Sequence, residues 1–340
     1  MKERKKNYCF TAIVGQDDMK TALILNAVNP DLGGVLIRGE KGTAKSTAVR
    51  ALAELLPFIK KTEDCRFGCD PDDESQMCTS CLEKAGSGVK AKYRLSRTEV
   101  VDLPINATED RVAGTLDMEY AVKTGEKRFE AGILADANRS ILYVDEVNLL
   151  DDHIVDILLD SAAMGVNTVE REGVSFTHPA KFIMVGTMNP EEGDLRPQLI
   201  DRFGLSVNVS GERDTEKRIA VLERRLLYDN DPEAFFTQFE QAQNELRDRI
   251  KNTQQLLSSV TYDKQILEKI AGICIALEVD GHRADISMLK TAMTLAAFDS
   301  RTETAHEDVV KAAGFVLPHR MRRMPFEDMS FDISMIENIK

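Results

Sequence analysis

The chain has 340 residues, enough for two domains with cores of their own. Its 44 Lys and Arg against 57 Asp and Glu give a formal charge of -13, an acidic balance that argues against general nucleic-acid binding. The amino terminus, Met1-Lys2-Glu3-Arg4-Lys5-Lys6, is basic but runs straight into polar sequence, and no apolar run reaches the length of a membrane span, so the expected setting is cytoplasmic.

In chain order, Phe10-Thr11-Ala12-Ile13-Val14-Gly15-Gln16 precedes a helix predicted from Asp17 through Val28, with acids at its start and Pro30 just past its end. Next, Val35-Leu36-Ile37-Arg38 reads as a strand, and Gly39-Glu40-Lys41-Gly42-Thr43-Ala44-Lys45-Ser46-Thr47 as a tight loop entering a helix through Leu56. Strand, small-residue loop and helix N-terminus form an anion nest suited to a triphosphate. Lys45 is expected at the β- and γ-phosphates and the Ser46 hydroxyl on Mg²⁺. The second pattern glycine is replaced by Ala44, which is expected to open the helix at negative φ.

Residues 57 to 97 read as a long polar region holding the spacing Cys65-x3-Cys69-x8-Cys78-x2-Cys81. Four thiolates so close together suit tetrahedral Zn²⁺ or an iron–sulfur cluster; redox-active dithiols and unligated thiols stay open as alternatives. Cys9 and Cys274 stand alone and read as small apolar packers. Thr98 to Leu103 looks like a buried strand, and residues 104 to 139 like an irregular interaction insert.

Ile141-Leu142-Tyr143-Val144 predicts a strand buried on both faces, with Asp145 and Glu146 at its carboxyl end, where ligands gather in open α/β sheets. Asp145 is expected in the Mg²⁺ shell and Glu146 as the base that orients and deprotonates the attacking water. Without the P-loop the pair would read equally well as a helix cap. Residues 165 to 180 read as a hairpin turning at Glu172-Gly173. Phe182 to Thr187 predicts another buried strand, ending beside Asn189, which either positions the lytic water as sensor 1 or simply turns the chain before Pro190. Arg196 and Arg202, ahead of a last strand Leu205 to Val209, are both candidates for a guanidinium offered to a neighbouring subunit, a device typically worth about 10³–10⁵ in rate.

From Gly211 the pattern is all helical, with two helices over 214 to 258 broken at Asn230-Asp231-Pro232. A three-helix lid follows, with stripes at Ile266, Ile270, Ile273 and Leu277, at Ile286, Leu289, Met293 and Ala297, and at Val309, Ala313 and Val316. Arg283 opens the second of these helices. The expected fold is therefore α/β: a P-loop domain with a parallel sheet flanked by helices over 1–210 (Cys-rich loop 62–90, insertions 104–139 and 165–180), a helical linker over 211–258 and a helical lid over 259–340.

The runs Ile141 to Asp160, Asn167 to Gly173, Asn189 to Gly204 and Leu103 to Thr115 resemble the AAA+ ATPase subunit of magnesium chelatase, and the likeness extends over nearly the whole chain. The resemblance implies Ile13 and Val14 around the adenine, Asn189 as sensor 1, Arg202 as arginine finger and Arg283 as sensor 2 at the γ-phosphate. It also implies hexameric rings with ATP between subunits. The implied partners are an AAA+-like subunit carrying an integrin-like, von Willebrand-type metal-binding domain, and a large subunit that inserts Mg²⁺, or Co²⁺ in related enzymes, into a tetrapyrrole. A MoxR-like chaperone acting on a von Willebrand-type domain protein is the alternative; a DNA-remodelling AAA+ protein fits the acidic balance poorly. The four-cysteine loop departs from the photosynthetic members of the family.

Overall fold

The protein is described here by a computed structural model covering residues 7–88, 91–116, 129–171, 174–193, 195–321 and 336. The chain runs through α1 (Asp17–Val28), β1 (Val35–Gly39) and α2 (Lys45–Leu55), then an excursion of β2 (Ile59–Thr62), α3 (Thr79–Gly86) and β3 (Tyr93–Ser96) before β4 (Val100–Leu103). The segments α4 (Glu109–Ala113), β5 (Gly114–Leu116), β6 (Phe129–Ala131) and α5 (Ile133–Ala137) lead to β7 (Ile141–Val144) and α6 (Asp152–Met164). Hairpin β8 (Val166–Arg171) and β9 (Val174–Pro179), strand β10 (Ile183–Met188), α7 (Pro197–Ile200) and β11 (Leu205–Val209) complete the α/β part.

Five of these strands form one parallel sheet in the order β11-β1-β10-β7-β4. Strand periodicity sorts its side chains onto two cores. Val35, Ile37, Tyr143, Val185 and Val207 face α1 and α2, whereas Leu36, Leu142, Val144 and Met184 face α6 and its neighbours. Because β7 and β10 are covered on both sides, every residue of each is buried, as their continuous apolar runs require.

Three sequence expectations change here. The stretch 98 to 103 is not a fully buried strand: β4 is an edge strand, half-exposed from Val100 through Asp102, since only β7 pairs with it. The polar region 57 to 97 is closed by antiparallel pairing of β2 with β3, and the insert 104 to 139 by pairing of β5 with β6, with helices α4 and α5 at its ends. Both ribbons are too short and too polar for their periodicity to register in the sequence. Residues 117–128 of the insert and the expected hairpin turn at Glu172-Gly173 lie outside the described residues; the hairpin strands themselves pair as expected.

The helical part comprises α8 (Thr215–Asn230), α9 (Pro232–Leu256), α10 (Lys264–Ala276), α11 (Arg283–Phe298) and α12 (His306–Val316). The break before Pro232 falls where expected, and Asp231 caps α9 by accepting from the Ala234 N–H at 3.0 Å. Ile250 of α9, Ile266, Ile270 and Ile273 of α10, Met288 of α11 and Val309 and Val316 of α12 join the core of α1 and α2. The expected α11 stripe holds only in part: Ala297 is buried and Leu289 and Met293 are partly buried, but Ile286 is exposed, and Ala284, Met288, Ala292 and Leu295 carry most of the buried face. Small residues let α11 pack closely, a signal that a search for large apolar side chains passes over. Cys9 and Cys274 are buried packers. Among the described residues, no helix is long and apolar enough to cross a membrane.

Candidate nucleotide-binding site

The loop after β1 is shaped by backbone crowding. Gly39 sits at φ +154°, and a Cβ there would lie 1.9 Å from the Val209 carbonyl oxygen, so only glycine fits between β1 and β11. Gly42 and Ala44 also take positive φ, +82° and +60°. Ala44 thus does not open α2 at negative φ: the helix begins at Lys45, and Ala44 is the left-handed residue before it. Turning the loop so that successive N–H groups face one point requires that conformation, at a cost of about 1–2 kcal/mol for a residue with a Cβ.

Thr43 Oγ1 donates to Glu40 O at 2.9 Å, and Lys45 Nζ donates to Gly39 O at 2.6 Å and Glu40 O at 3.2 Å. The loop is therefore tied to itself, with Ser46 exposed at the first turn of α2 and Thr47 half-buried beside it. Partial burial pulls the Lys45 ammonium below the usual lysine range, while the Asp145 and Glu146 carboxylates pull the other way. A cleft of about 300 Å³ opens beside the loop, lined by residues including Gly39, Glu40, Asn189 and Ser210. Gln16 Nε2 donates to Ser210 O at 2.8 Å, bringing the segment before α1 alongside. Ile13 itself is buried in the core and Val14 half-buried; Gln16, Asp17, Asn208 and Glu212, rather than these two, line the adjacent groove.

Asp145 and Glu146 follow β7 at the same edge of the sheet. Asp145 Oδ1 accepts from Thr187 Oγ1 at 2.5 Å and from Tyr143 OH at 3.0 Å. Glu146 takes a left-handed φ of +52°, and its N–H donates back to Thr187 Oγ1 at 3.2 Å. One threonine on β10 therefore fixes both acidic residues. Lys41 Nζ spans the mouth, 3.3 Å from Glu146 Oε1 and 2.5 Å from Glu192 Oε1, and these contacts raise its pKa and lower that of Glu192. Asn189 is buried, lines the cleft and accepts from the Glu191 N–H at 3.3 Å, so it turns the chain before Pro190 while facing the cleft. The left-handed loop, the Ser46 hydroxyl and the braced Asp145 carboxylate fit a magnesium-bound triphosphate by donor type: N–H groups for phosphate oxygens, and hard oxygens for the cation.

The arginines lie elsewhere. Leu205 at the start of β11 pairs with Val35 at the start of β1, so Arg202 sits near the amino ends of the strands, across the sheet from the P-loop. Its side chain is 29% exposed, with the guanidinium held by Asp160 at 2.7 Å and Asp156 at 3.0 Å, both on α6. Arg196 is mostly exposed and pairs with Asp152 at 2.5 Å. Arg283 opens α11 as expected, but it binds Asp201 at 3.0 Å, so the structure places it with the Arg202 turn and not at the P-loop of its own chain. Arg320, just beyond α12 with its side chain almost wholly covered, donates to Asp201 O at 2.9 Å, Phe203 O at 2.6 Å and Gly204 O at 3.1 Å. The lid thus grips the turn that carries Arg202.

Comparison with known proteins identifies this arrangement. The family models "Magnesium chelatase, subunit ChlI" and "AAA lid domain" match residues 115–199 and 267–339. The magnesium-chelatase subunit ChlI homolog of Methanocaldococcus jannaschii is 56% identical over 332 residues, 98% of this chain and 90% of that protein. The chain belongs to the ChlI family of magnesium-chelatase subunits. The ChlI of a Synechocystis species is 48% identical over 96% of this chain and 92% of its own length. In a cryo-EM reconstruction of the complex between subunits BchI and BchD of magnesium chelatase, the matched chain is 45% identical, with a TM-score of 0.56 and coverage of 95% of this chain and 98% of that one. A putative ATPase of Cytophaga hutchinsonii, 18% identical with a TM-score of 0.60 over 92% of this chain and 84% of that one, shares the fold.

Within this ChlI-family chain the structure brings Gly39 to Thr47, Asp145, Glu146 and Asn189 to one edge of the sheet and leaves Arg202 and Arg283 on another flank. Thr187, Glu192 and Arg320 were not singled out by sequence. Thr187 is marked out only by the strand register: it follows Gly186, whose partner Val144 immediately precedes Asp145. Apart from all of these, the Sγ atoms of Cys65, Cys69, Cys78 and Cys81 lie within 4.8 Å of one another.

Proposed function

We propose that this protein is the ATP-hydrolysing AAA+ motor subunit of a metal chelatase, driving insertion of Mg²⁺, or Co²⁺, into a tetrapyrrole held by a separate large subunit. The observation that carries the ATPase reading is the bracing of Asp145 and Glu146 by Thr187 beside a left-handed P-loop. Identity of 48% to a magnesium-chelatase subunit ChlI over nearly the whole chain favours the chelatase over a MoxR-like chaperone.

Bound Mg²⁺ supplies charge neutralisation at the phosphates. Lys45 and the loop N–H groups hold the β- and γ-phosphates, Ser46 and Asp145 offer oxygens to the cation, Asn189 orients the attacking water, and Glu146 accepts its proton. Arg202, with Arg283 beside it, serves the site of an adjacent subunit, because each chain keeps these side chains away from its own loop. This implies a cytoplasmic ring, a hexamer by family resemblance, working with an AAA+-like subunit that carries a von Willebrand-type domain. The test is steady-state ATP turnover of Glu146→Gln: loss of turnover with nucleotide binding retained is expected, and unchanged turnover at intact folding rejects the assigned base.

A further inference from the structure

The loop between β2 and β3 carries chemistry that nucleotide hydrolysis does not use. Cys69, Cys78 and Cys81 are buried, Cys65 is half-buried, and all four are free thiols. Cys65 Sγ lies 3.4 Å from Cys69 Sγ and 3.9 Å from Cys78 Sγ, and the Cys78 N–H donates to Cys69 Sγ at 3.1 Å. A tetrahedron with zinc–sulfur bonds of about 2.3 Å has sulfur–sulfur edges of about 3.8 Å. Edges of that size, with no pair beyond 4.8 Å, match a single ion. An iron–sulfur cluster interposes several irons and bridging sulfides and needs its cysteines farther apart. We propose that Cys65, Cys69, Cys78 and Cys81 bind one Zn²⁺ as four thiolates, and that this ion anchors hairpins β5–β6 and β8–β9.

The second half of the proposal rests on what surrounds the thiols. They share a small core with Phe67, Leu116, Phe129 and Val169, so the loop packs against both hairpins at once. Phe67, between the first two cysteines, stacks on His178 of β9 with ring centroids 4.8 Å apart and planes 11° from parallel. Arg66 donates to Phe129 O on β6 at 2.6 Å, and Asn138 Nδ2 donates to Phe67 O at 2.9 Å. Asn167 of β8 donates to Ala113 O at 2.7 Å, closing the circuit between the two hairpins. Among the described residues between β2 and β3 the one α-helix is the 8-residue α3, and so small a core does not hold such a loop by apolar burial alone. A metal replaces the missing burial, as in small zinc domains. Four thiolates around a divalent ion leave a net charge of −2, eased by the Cys78 N–H and by the N-terminus of α3, which begins right after Cys78.

The test uses the full-length chain purified anaerobically without chelators, with metals measured by inductively coupled plasma mass spectrometry. About one zinc per chain is expected, without iron or acid-labile sulfide, falling by roughly tenfold in the double variant C78S/C81S. In that variant, and in wild type stripped by chelator, amide exchange across β5–β6 and β8–β9 is expected to speed up by roughly tenfold or more while β1, β7 and β10 stay protected, and restoring Zn²⁺ to the stripped wild type is expected to slow it again. Iron with visible absorption, or a folded chain that is metal-free and fails to take up added Zn²⁺, overturns the zinc site. Zinc bound with hairpin exchange unchanged on its removal overturns the anchoring role. Neither result depends on nucleotide turnover, which is read separately.

Discussion

Thr187→Val isolates the brace beneath the two carboxylates. Valine keeps the shape of the buried side chain but removes the hydroxyl that donates to Asp145 at 2.5 Å and accepts from the Glu146 N–H at 3.2 Å. A hydrogen bond to a charged group is worth about 1.5–3 kcal/mol, and the part-buried Glu146 N–H loses its acceptor as well. Part of that loss falls on folding and part on the arrangement of Asp145 and Glu146. With each 1.4 kcal/mol of barrier worth about tenfold, a loss of about 1.5–3 kcal/mol at the site lowers kcat by roughly 10- to 150-fold. The assay is steady-state ATP turnover paired with a fluorescent-nucleotide titration. Turnover should fall while nucleotide affinity stays within a few-fold, since Lys45 and the loop are untouched, and Thr187→Ser should restore most of the rate. A valine variant that folds and turns over within twofold of the parent refutes the argument, as does a serine variant no better than valine.

Three further expectations follow from separate features. Arg202→Ala and Glu146→Gln should each be inactive alone, yet an equal mixture should regain turnover, because about a quarter of the joints then pair an intact base with an intact neighbouring guanidinium; mixed assemblies that stay silent count against action across a subunit boundary. Gly39→Ala forces a methyl group to 1.9 Å from Val209 O and should cost about 3 kcal/mol or more, read as a lower denaturant midpoint together with lost nucleotide binding. His319, half-buried and 2.9 Å from Phe203 O, has its pKa held well below the usual histidine value, first by desolvation and then by Arg320. The unfolded chain therefore binds a proton below pH ~6.5 that the folded chain refuses, so stability is full above that pH and declines on acidification by about 1.4 kcal/mol per pH unit. His319→Gln should flatten the decline between about pH 6.5 and 5.5; an unchanged slope argues that other groups set it.

The sequence already carried the parts of this molecule in which local pattern and tertiary role coincide. The apolar runs at Ile141 and Ile183 are buried on both faces, as their continuous apolar composition marks them, and the run at Val35 is buried over its first three residues. Caps at Asp231 and the break at Pro232 are written in single residues. What stayed hidden depends on distant packing. Ala44 looked compatible with a helix start because its left-handed turn is imposed by the loop and not by its own preference. Ile286 matched a helical stripe, yet small alanines set the buried face of α11. Arg283 was legible as the opener of a lid helix, but only the position of the lid reveals that its partner is Asp201. The four cysteines were conspicuous in sequence; that they converge on one point beside two hairpins needed coordinates.

The separation of Arg202 from the P-loop gives each subunit a direction. With Arg202 serving a neighbour's site as proposed, a surface that offers a guanidinium and a different surface that needs one cannot satisfy each other by a two-fold exchange of identical patches; contact then runs head to tail, and only closure or a growing spiral uses every site. Under the proposed role of Arg202, hydrolysis belongs to the seam and not to the protomer. Dilution should silence the protein before it unfolds, and whatever pries open one seam controls the clock of the next.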